Sequence, residues 1–501
     1  MKNTINNRLF SILLYVAFFG LCACSSDSGT DKKPETIMLS SDINKIDFQT
    51  KGNAAAVKVT TNATAWTVTT SDASWIQLSQ LTGGTGTTTF NITASENTAT
   101  ATRTAIITIS SNQAASVQIS VSQLGAAQVV ITIPSYNTSP LPADATGMTS
   151  NAVELAANIK LGWNIGNTLE ATGGETAWGN PKVTKALIDL VKANGFNAIR
   201  IPCSWNQNLA NSATAQISTE WLNRVKEVVQ YCVDNDMYVI VNIHWDGGWL
   251  ENNVTEAKKV ENNAKQKAFW EQIATQLRGF DEHLLFASAN EPNVDNATQM
   301  AVLTSYHQTF IDAVRSTGGK NANRILIVQG PSTDIEKTNK LMLALPTDNV
   351  ASRMMVEVHY YTPYQFCLMD KDADWGKMFY YWGADYHSTT DTGRNPTWGE
   401  EADLDKFFLS MKTQFVSKGI PVILGEFGAI RRDLTGDALT LHLNSRAYYL
   451  KYVVKQAKAN GLIPFYWDAG NMGVNTMSLF NRTNNTVYDQ QALTALHDGL
   501  K

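Results

Sequence analysis

The sequence predicts two domains of unlike class: a small all-β immunoglobulin-like sandwich, followed by an α/β domain of the (β/α)8 or TIM barrel type. Three observations carry this. At 501 residues the chain is longer than one domain ordinarily holds. Residues 36–124 are dense in Thr and β-branched side chains, in short runs separated by Gly, Ser, Asn and Asp. From Met148 onward, apolar strand-like runs alternate with amphipathic helical ones. A 44% hydrophobic content and 13 Trp can fill a large core. A net charge of −5 and a pI near 5.9 lack the basic excess that nucleic-acid binding needs, so no nucleic-acid partner is expected.

Residues 1–24 read as a lipoprotein signal peptide. Lys2 and Arg8 precede an apolar run from Phe10 to Leu21, too short to span a bilayer. The run ends in Leu21-Cys22-Ala23-Cys24, which resembles a bacterial lipoprotein signal. Cys24 is then the lipidated first residue of the mature chain, and an exported lipoprotein of the outer membrane or cell surface is expected. Residues 25–35 are a polar tether. The remaining Cys203, Cys232 and Cys367 are too scattered for a disulfide framework or a metal site and read as core residues.

Within 36–124, strand-like runs fall at 57–60, 66–69, 88–92, 105–109 and 117–121, the spacing of a small sandwich. Trp66, Trp75-Ile76, Arg103-Thr104-Ala105 and Val121-Ser122-Gln123 resemble the BACON domain, a sandwich common in glycan-degrading proteins of Bacteroidetes. Trp66 and Trp75 are then either sugar platforms or core residues of a spacer, and the spacer is the favoured reading. Residues 125–147, with three Pro and no helical pattern, read as a linker or a strand leading into the second domain.

For residues 148–501 the strands drawn are 159–164, 196–202, 237–244, 284–290, 324–329, 354–359, 421–426 and 463–467. Segments 219–234, 264–278, 299–316, 402–417 and 437–460 carry apolar residues at three- and four-residue spacing, and Gly195, Gly419 and Gly461 close helices. Eight strand–helix units make a closed barrel. A doubly wound sheet would carry a Gly-rich phosphate turn after its first strand, and Gly162 to Thr168 is not one.

Catalytic groups of such barrels sit at the C-terminal strand ends. Those ends hold Arg200, His244, Asn290-Glu291-Pro292, His359-Tyr360-Tyr361, Gly425-Glu426-Phe427 and Trp467-Asp468. One charged strand end can be a structural ion pair, but six together are hard to explain by packing. Two glutamates on opposite strands suit glycosidic cleavage, which needs one carboxylic acid for the leaving oxygen and one carboxylate for the anomeric carbon. Arg200 is a suitable cation for holding the second ionised.

These residues give the barrel its resemblance to glycoside hydrolase family 5 of clan A. Residues 162–171, 175–181, 241–249 and 359–364 resemble its subfamily 4 in particular. The resemblance implies Glu291 as general acid/base, Glu426 as nucleophile, and Asn290 on the sugar 2-hydroxyl. It implies Arg200 and Tyr361 holding Glu426, His244 and His359 around the −1 sugar, and Trp467 as its stacking floor. Asn164 and Trp249, within the resembling stretches, join the expected substrate-binding residues. Trp245 departs from a second His found in many relatives, which puts fine specificity in doubt. No metal or other cofactor is expected, since neither His has a partner at ligand spacing.

The stretch Pro363 to Glu401 contains Trp375, Phe379, Tyr380, Tyr381, Trp382, Tyr386 and Trp398. Several of these rings should pack the loop on itself, and one or two should line a substrate cleft, as could Trp178. The expected activity is endo-hydrolysis of a β-1,4-glucan backbone in a plant cell-wall polysaccharide, xyloglucan or cellulose-like chains, by a monomer. Mixed-linkage glucan, β-mannan and xylan are the alternative substrates. A non-catalytic glycan-binding lipoprotein is the alternative of a different class, and it predicts a missing Glu291, Glu426 or Asn290.

Overall fold

The computed structural model describes residues 35–126 and 133–501, in two compact units that divide between Gln128 and Val129. The stretch expected as a signal peptide, with Cys24, and that expected as a tether, up to residue 34, lie outside the described residues.

The first unit is a sandwich of a four-stranded and a five-stranded sheet. All five expected strands are present and longer than drawn, for example Asn53–Thr61, Arg103–Ser111 and Ala114–Gln123. Short additional strands at Leu39–Ser41, Lys45–Phe48, Ile76–Leu78 and Thr82–Gly83 complete the sheets. Inward positions alternate with exposed ones, as Val57, Val59, Phe90, Ile92, Ile107, Ile109, Ile119 and Val121 fill the interior. Trp66 and Trp75 are 1% and 4% exposed, so both are core and neither is a sugar platform. Their indole N–H groups donate to Gly84 O and to the Asp72 carboxylate.

The second unit is a closed, all-parallel eight-stranded barrel. Its strands are β1 (Gly162–Ile165), β2 (Ala198–Ile201), β3 (Tyr238–Asn242), β4 (Leu284–Ala287), β5 (Leu326–Gln329), β6 (Met354–Tyr360), β7 (Val422–Phe427) and β8 (Leu462–Asp468). β1 pairs with β8 to close the ring, with Asn164 beside Trp467. The expected helices are present as Thr219–Val233, Glu256–Leu277, Ala297–Ser316, Glu401–Gln414 and Gly436–Asn460, the last ending on Gly461 at φ 75°.

One expectation needs correction. The first strand begins at Gly162, not residue 159. The preceding residues form the helix Ala152–Asn158, held by an Asn151/Glu154 capping box. Its Ala152 and Leu155, with Ile159, pack on the inward Ala198, Ile240, Leu285, Ile327, Ile423 and Phe465, so this helix plugs the barrel floor. The segment expected as a linker or an entering strand follows the second alternative over its latter half: Ser135 Oγ and the Tyr136 and Asn137 N–H groups donate to Glu271, and the strand Leu141–Ala143 pairs with Gly318–Gly319.

Asp468 ends β8 as a structural staple. Wholly buried, it accepts Trp163 Nε1–H, the Gly470 and Leu479 N–H groups, and Arg482 Nη2 at 3.0 Å. The stretch after β6 is largely its own small core. Phe379, Tyr381 and Trp382 are buried, and Trp382 packs against Tyr448, Tyr449 and Tyr452, whereas Trp375 and Trp398 are 67% and 45% exposed. Among the described residues no helix is long and apolar enough to cross a membrane.

Candidate active site

The barrel brings the strand ends of β2, β4, β6 and β7 onto one another. Arg200 is the hub and is out of solvent. Nη1 donates to Glu426 Oε1 at 2.8 Å and to Asn164 Oδ1 at 3.0 Å, and Nη2 donates to Asn290 Oδ1 at 2.8 Å. Nε lies 2.9 Å from Glu357 Oε1, an ion-pair contact whose angle falls outside hydrogen-bond geometry. Arg200 therefore acts from beneath the carboxylates and does not itself reach a sugar.

Glu426 receives a second donor, Tyr361 Oη, at 3.1 Å. His359 stands between the two glutamates, its Nδ1 2.7 Å from Glu291 Oε1 and 3.8 Å from Glu426 Oε2. Its Nε2 lies 3.1 Å from Glu357 Oε1. Burial works against charge on this ring, but Glu426, Glu291 and Glu357 outweigh it and carry the imidazolium up to about 10. His244 is the opposite case. Burial, Arg200 and His359 keep its ring neutral, and it lies flat against Trp467, with ring centroids 5.7 Å apart and planes at 12°.

The carboxylates differ in surroundings. Burial pushes Glu426 above the ordinary carboxylate range, with Glu291 and Glu357 adding to it and His359 and Arg200 opposing. Burial also pushes Glu291 upward, but the His359 hydrogen bond and charge bring it below that range. This is the reverse of the order the expected roles need. The two carboxylates and His359 lie close enough to titrate together, so the directions belong to the cluster more than to either glutamate. Two features do not change with protonation. Glu426 faces a permanent cation and a phenol, and its side chain is 7% exposed; Glu291 faces His359, with the Thr333 side chain beside it, and is 43% exposed.

Glu291, His359 and Glu426 offer donor atoms within 4.8 Å of one another, a set of the type that binds metal ions. Both ring nitrogens of His359 face carboxylates, so a cation at this set would have to displace a proton from the ring.

One expected substrate-binding residue sits elsewhere. Asn164 is fully buried, its Oδ1 accepting Arg200 and its Nδ2 donating to the Gly425 and Tyr466 carbonyls at 2.9 and 3.2 Å, so it positions Arg200 and cannot meet substrate. Trp249 is built into the loop wall: its indole N–H donates to Asp246, and Lys265 Nζ lies 4.5 Å from its ring centroid. Asp246 anchors that loop by accepting the Asn206 N–H, while Trp245 beside it projects outward, 43% exposed.

Reading strand ends missed three buried groups. Glu357 lies within a strand, Gln329 ends β5 but was passed over as an uncharged amide, and Glu251, which accepts the Glu291 N–H at 2.7 Å and is pushed by burial to about 7, lies in a short 3-10 turn between strands. The signal for Glu357 was available, as an acid inside the apolar run Met354 to Val358.

The model of the cellulase family, glycosyl hydrolase family 5, matches residues 164–473, and a viral BACON domain model matches residues 38–126. The chain belongs to glycosyl hydrolase family 5. It is 35% identical to the xyloglucan-specific endo-beta-1,4-glucanase of Bacteroides ovatus, over 99% of this chain and 97% of that protein. A Bacteroides ovatus family 5 xyloglucanase solved with a XXXG heptasaccharide aligns at a TM-score of 0.68 and 34% identity, covering 93% of this chain and 99% of that one. A broad-specificity endoglucanase of family 5, subfamily 4, from Ruminococcus champanellensis with bound cellotriose gives 0.59 and 34%, over 69% and 98%. As a family 5 member the chain is a glycoside hydrolase, and the non-catalytic alternative falls.

Proposed function

We propose that this chain is a retaining endo-β-1,4-glucanase that cuts the backbone of xyloglucan and related cellulose-like glucans. Glu426 is its nucleophile and Glu291 its general acid and base. One observation carries this reading: an oxygen of each glutamate lies within 4.8 Å of the other and of His359 Nδ1. That closeness suits direct attack, for which carboxyl groups stand about 5–5.5 Å apart, and leaves no room for the interposed water of an inverting site at about 6.5–9.5 Å. The fixed donors Arg200 and Tyr361 favour the ionised, attacking role for Glu426; the more exposed Glu291 suits a group that trades protons with leaving group and water.

In the first step a Glu426 oxygen bonds to the anomeric carbon as the glycosidic C–O bond breaks, and the proton of Glu291 goes to the departing oxygen. In the second, Glu291 takes a proton from water, whose oxygen displaces Glu426 and restores the β configuration. Asn290, its Oδ1 held by Arg200, turns its NH2 group toward the 2-hydroxyl, and Trp467 with His244 forms the sugar floor. The xyloglucan preference is supported by the full-length relative named above, and the cellulose-like range by the broad-specificity one.

Proton NMR of the first product from xyloglucan should show the β anomer; an initial α anomer sinks the mechanism. Glu291→Ala should lower kcat/KM on polysaccharide by about 10²–10⁴-fold, yet far less on an aryl glycoside whose leaving group needs no proton. Glu426→Ala should lose both activities. The leader, ending in Cys22-Ala23-Cys24, supports an enzyme anchored to the outer membrane or cell surface through Cys24. Mass spectrometry should find the acylated Cys24 as the mature N-terminus, and a water-soluble product with unmodified cysteine would oppose this.

A further inference from the structure

Glu357 lies on β6, two residues before His359, wholly out of solvent, and the two-glutamate mechanism gives it no part. A buried carboxylate without partners costs several kcal/mol, yet this one is fully supplied. Arg200 Nε and His359 Nε2 lie 2.9 and 3.1 Å from its Oε1, and Gln329 Nε2 donates to its Oε2 at 2.7 Å. Gln329 Oε1 in turn accepts the N–H of Ala289 at 2.8 Å, one residue before Asn290. On the other side, a Cβ added to Gly425 would stand 2.0 Å from Glu357 Oε1, so the backbone that carries Glu426 passes directly over this carboxylate.

We propose that Glu357 is a positioning residue of the active site: it touches no substrate, but binds the back of both Arg200 and His359 and so sets how many protons the catalytic pair and His359 hold. The inference rests on the roles given above to Glu291 and Glu426. A negative charge behind Nε2 keeps the ring doubly protonated, with one N–H toward Glu357 and the other toward Glu291. The charged and titratable groups facing this pair are Arg200 from β2, His244 beyond β3, Glu291 beyond β4 with Glu251 behind it, Glu426 from β7, and Tyr361 after β6 itself. With His244 and Tyr361 neutral, Glu291, Glu357 and Glu426 stand against the cations Arg200 and His359, one net negative charge before any from Glu251, which burial pushes to about 7. Glu357→Gln keeps the shape and removes that charge, so every proton in the cluster should leave at lower pH.

The test is the pH profile of kcat/KM on soluble xyloglucan for wild type, Glu357→Gln, Glu291→Ala and Glu426→Ala. Glu357→Gln is expected to keep KM within about threefold, to lose about 10–100-fold in kcat, and to move the basic limb at least about one pH unit toward acid. A basic limb that coincides with wild type overturns the proposal, even if the variant is slower or melts earlier. Wild type supplies a second measurement that no folding failure can spoil. Nitrogen-edited NMR should find both His359 ring N–H groups retained at pH 8.5, and a ring that deprotonates near 6.5 overturns the proposal. Full turnover in Glu291→Ala or Glu426→Ala removes the two-glutamate reading and this inference with it. Dead variants beside an unmoved Glu357→Gln limb remove this inference alone.

Discussion

Arg200 Nη1 and Glu426 Oε1 lie 2.8 Å apart, the guanidinium entirely out of solvent and the carboxylate 7% exposed. The same guanidinium orders Asn164 and Asn290, so one planar fork sets the nucleophile, a substrate-facing amide and the barrel seam together.

Arg200→Lys keeps the charge and loses the fork, since an ammonium cannot face four partners at these angles. We expect kcat to fall about 10²-fold or more, with a smaller change in KM and a lower melting temperature. Steady-state kinetics beside a thermal melt checks this, and an unchanged kcat would refute it.

Tyr361→Phe removes one hydrogen bond from Glu426 and leaves the packing in place. A bond to a charged group supports a loss of about 10–100-fold in kcat/KM, visible on an aryl glycoside, where proton donation by Glu291 is not limiting. A loss confined to polysaccharide would place Tyr361 on the glycan instead.

His307 is buried, its Nε2 facing the Gln329 carbonyl and its Nδ1 the Ser288 hydroxyl; burial keeps the ring neutral, against the pull of the Gln329 carbonyl. Unfolded, the ring takes its proton near 6.5; folded, burial delays this to about 4. Between those values the unfolded chain holds more protons, so the stability contributed by the neutral ring is whole above pH 6.5 and lost as the pH falls toward 4, a swing on the order of 3 kcal/mol. Urea unfolding at pH 7, 5.5 and 4.5 should show a shallower acid loss in His307→Gln than in wild type, and equal slopes would remove His307 as a source.

Asp468→Ala leaves Arg482 buried beside Trp163 and frees two backbone N–H groups at the β1–β8 seam. Removing one member of such a pair costs about 3–5 kcal/mol, so the variant should melt well below wild type. A melting curve that overlays wild type would show that the seam does not depend on this carboxylate.

Trp382→Ala and Trp375→Ala separate the two uses of the aromatic stretch after β6. The first opens a cavity and should cost about 3–5 kcal/mol. The second removes an exposed ring and should leave stability within about 0.5 kcal/mol, while raising KM for xyloglucan if that ring lies along the glycan. Equal stability losses would mean that the exposed ring, too, is structural.

The barrel was legible because its strands are runs of apolar residues, six of which end in a charged or polar group. Lys185–Ala193 and Ile335–Leu341, though helical, are too short for periodicity to single out. The floor-plugging helix Ala152–Asn158 was hidden because Leu155 and Ile159 look like the approach to a strand. At the site, polar strand ends picked out Arg200, His244, His359, Glu291 and Glu426, whose convergence at the barrel mouth is a matter of chain position. The same habit over-read Asn164 and Asp468, which close the seam between first and last strands, and overlooked Glu357 and Gln329. Whether an inward polar residue meets sugar or another side chain depends on its height in the barrel, and a one-dimensional pattern does not carry that coordinate.

Gly425 precedes the proposed nucleophile not for freedom of rotation but because the Glu357 carboxylate occupies the space of a side chain. Positions 357 and 425 are therefore free to vary only in concert. A relative with Ala or Ser before its second glutamate must carry a shorter residue at the β6 position, and with it a different charge count around its His. The triplet around Glu426 thus records its neighbour across the barrel as much as the chemistry it serves.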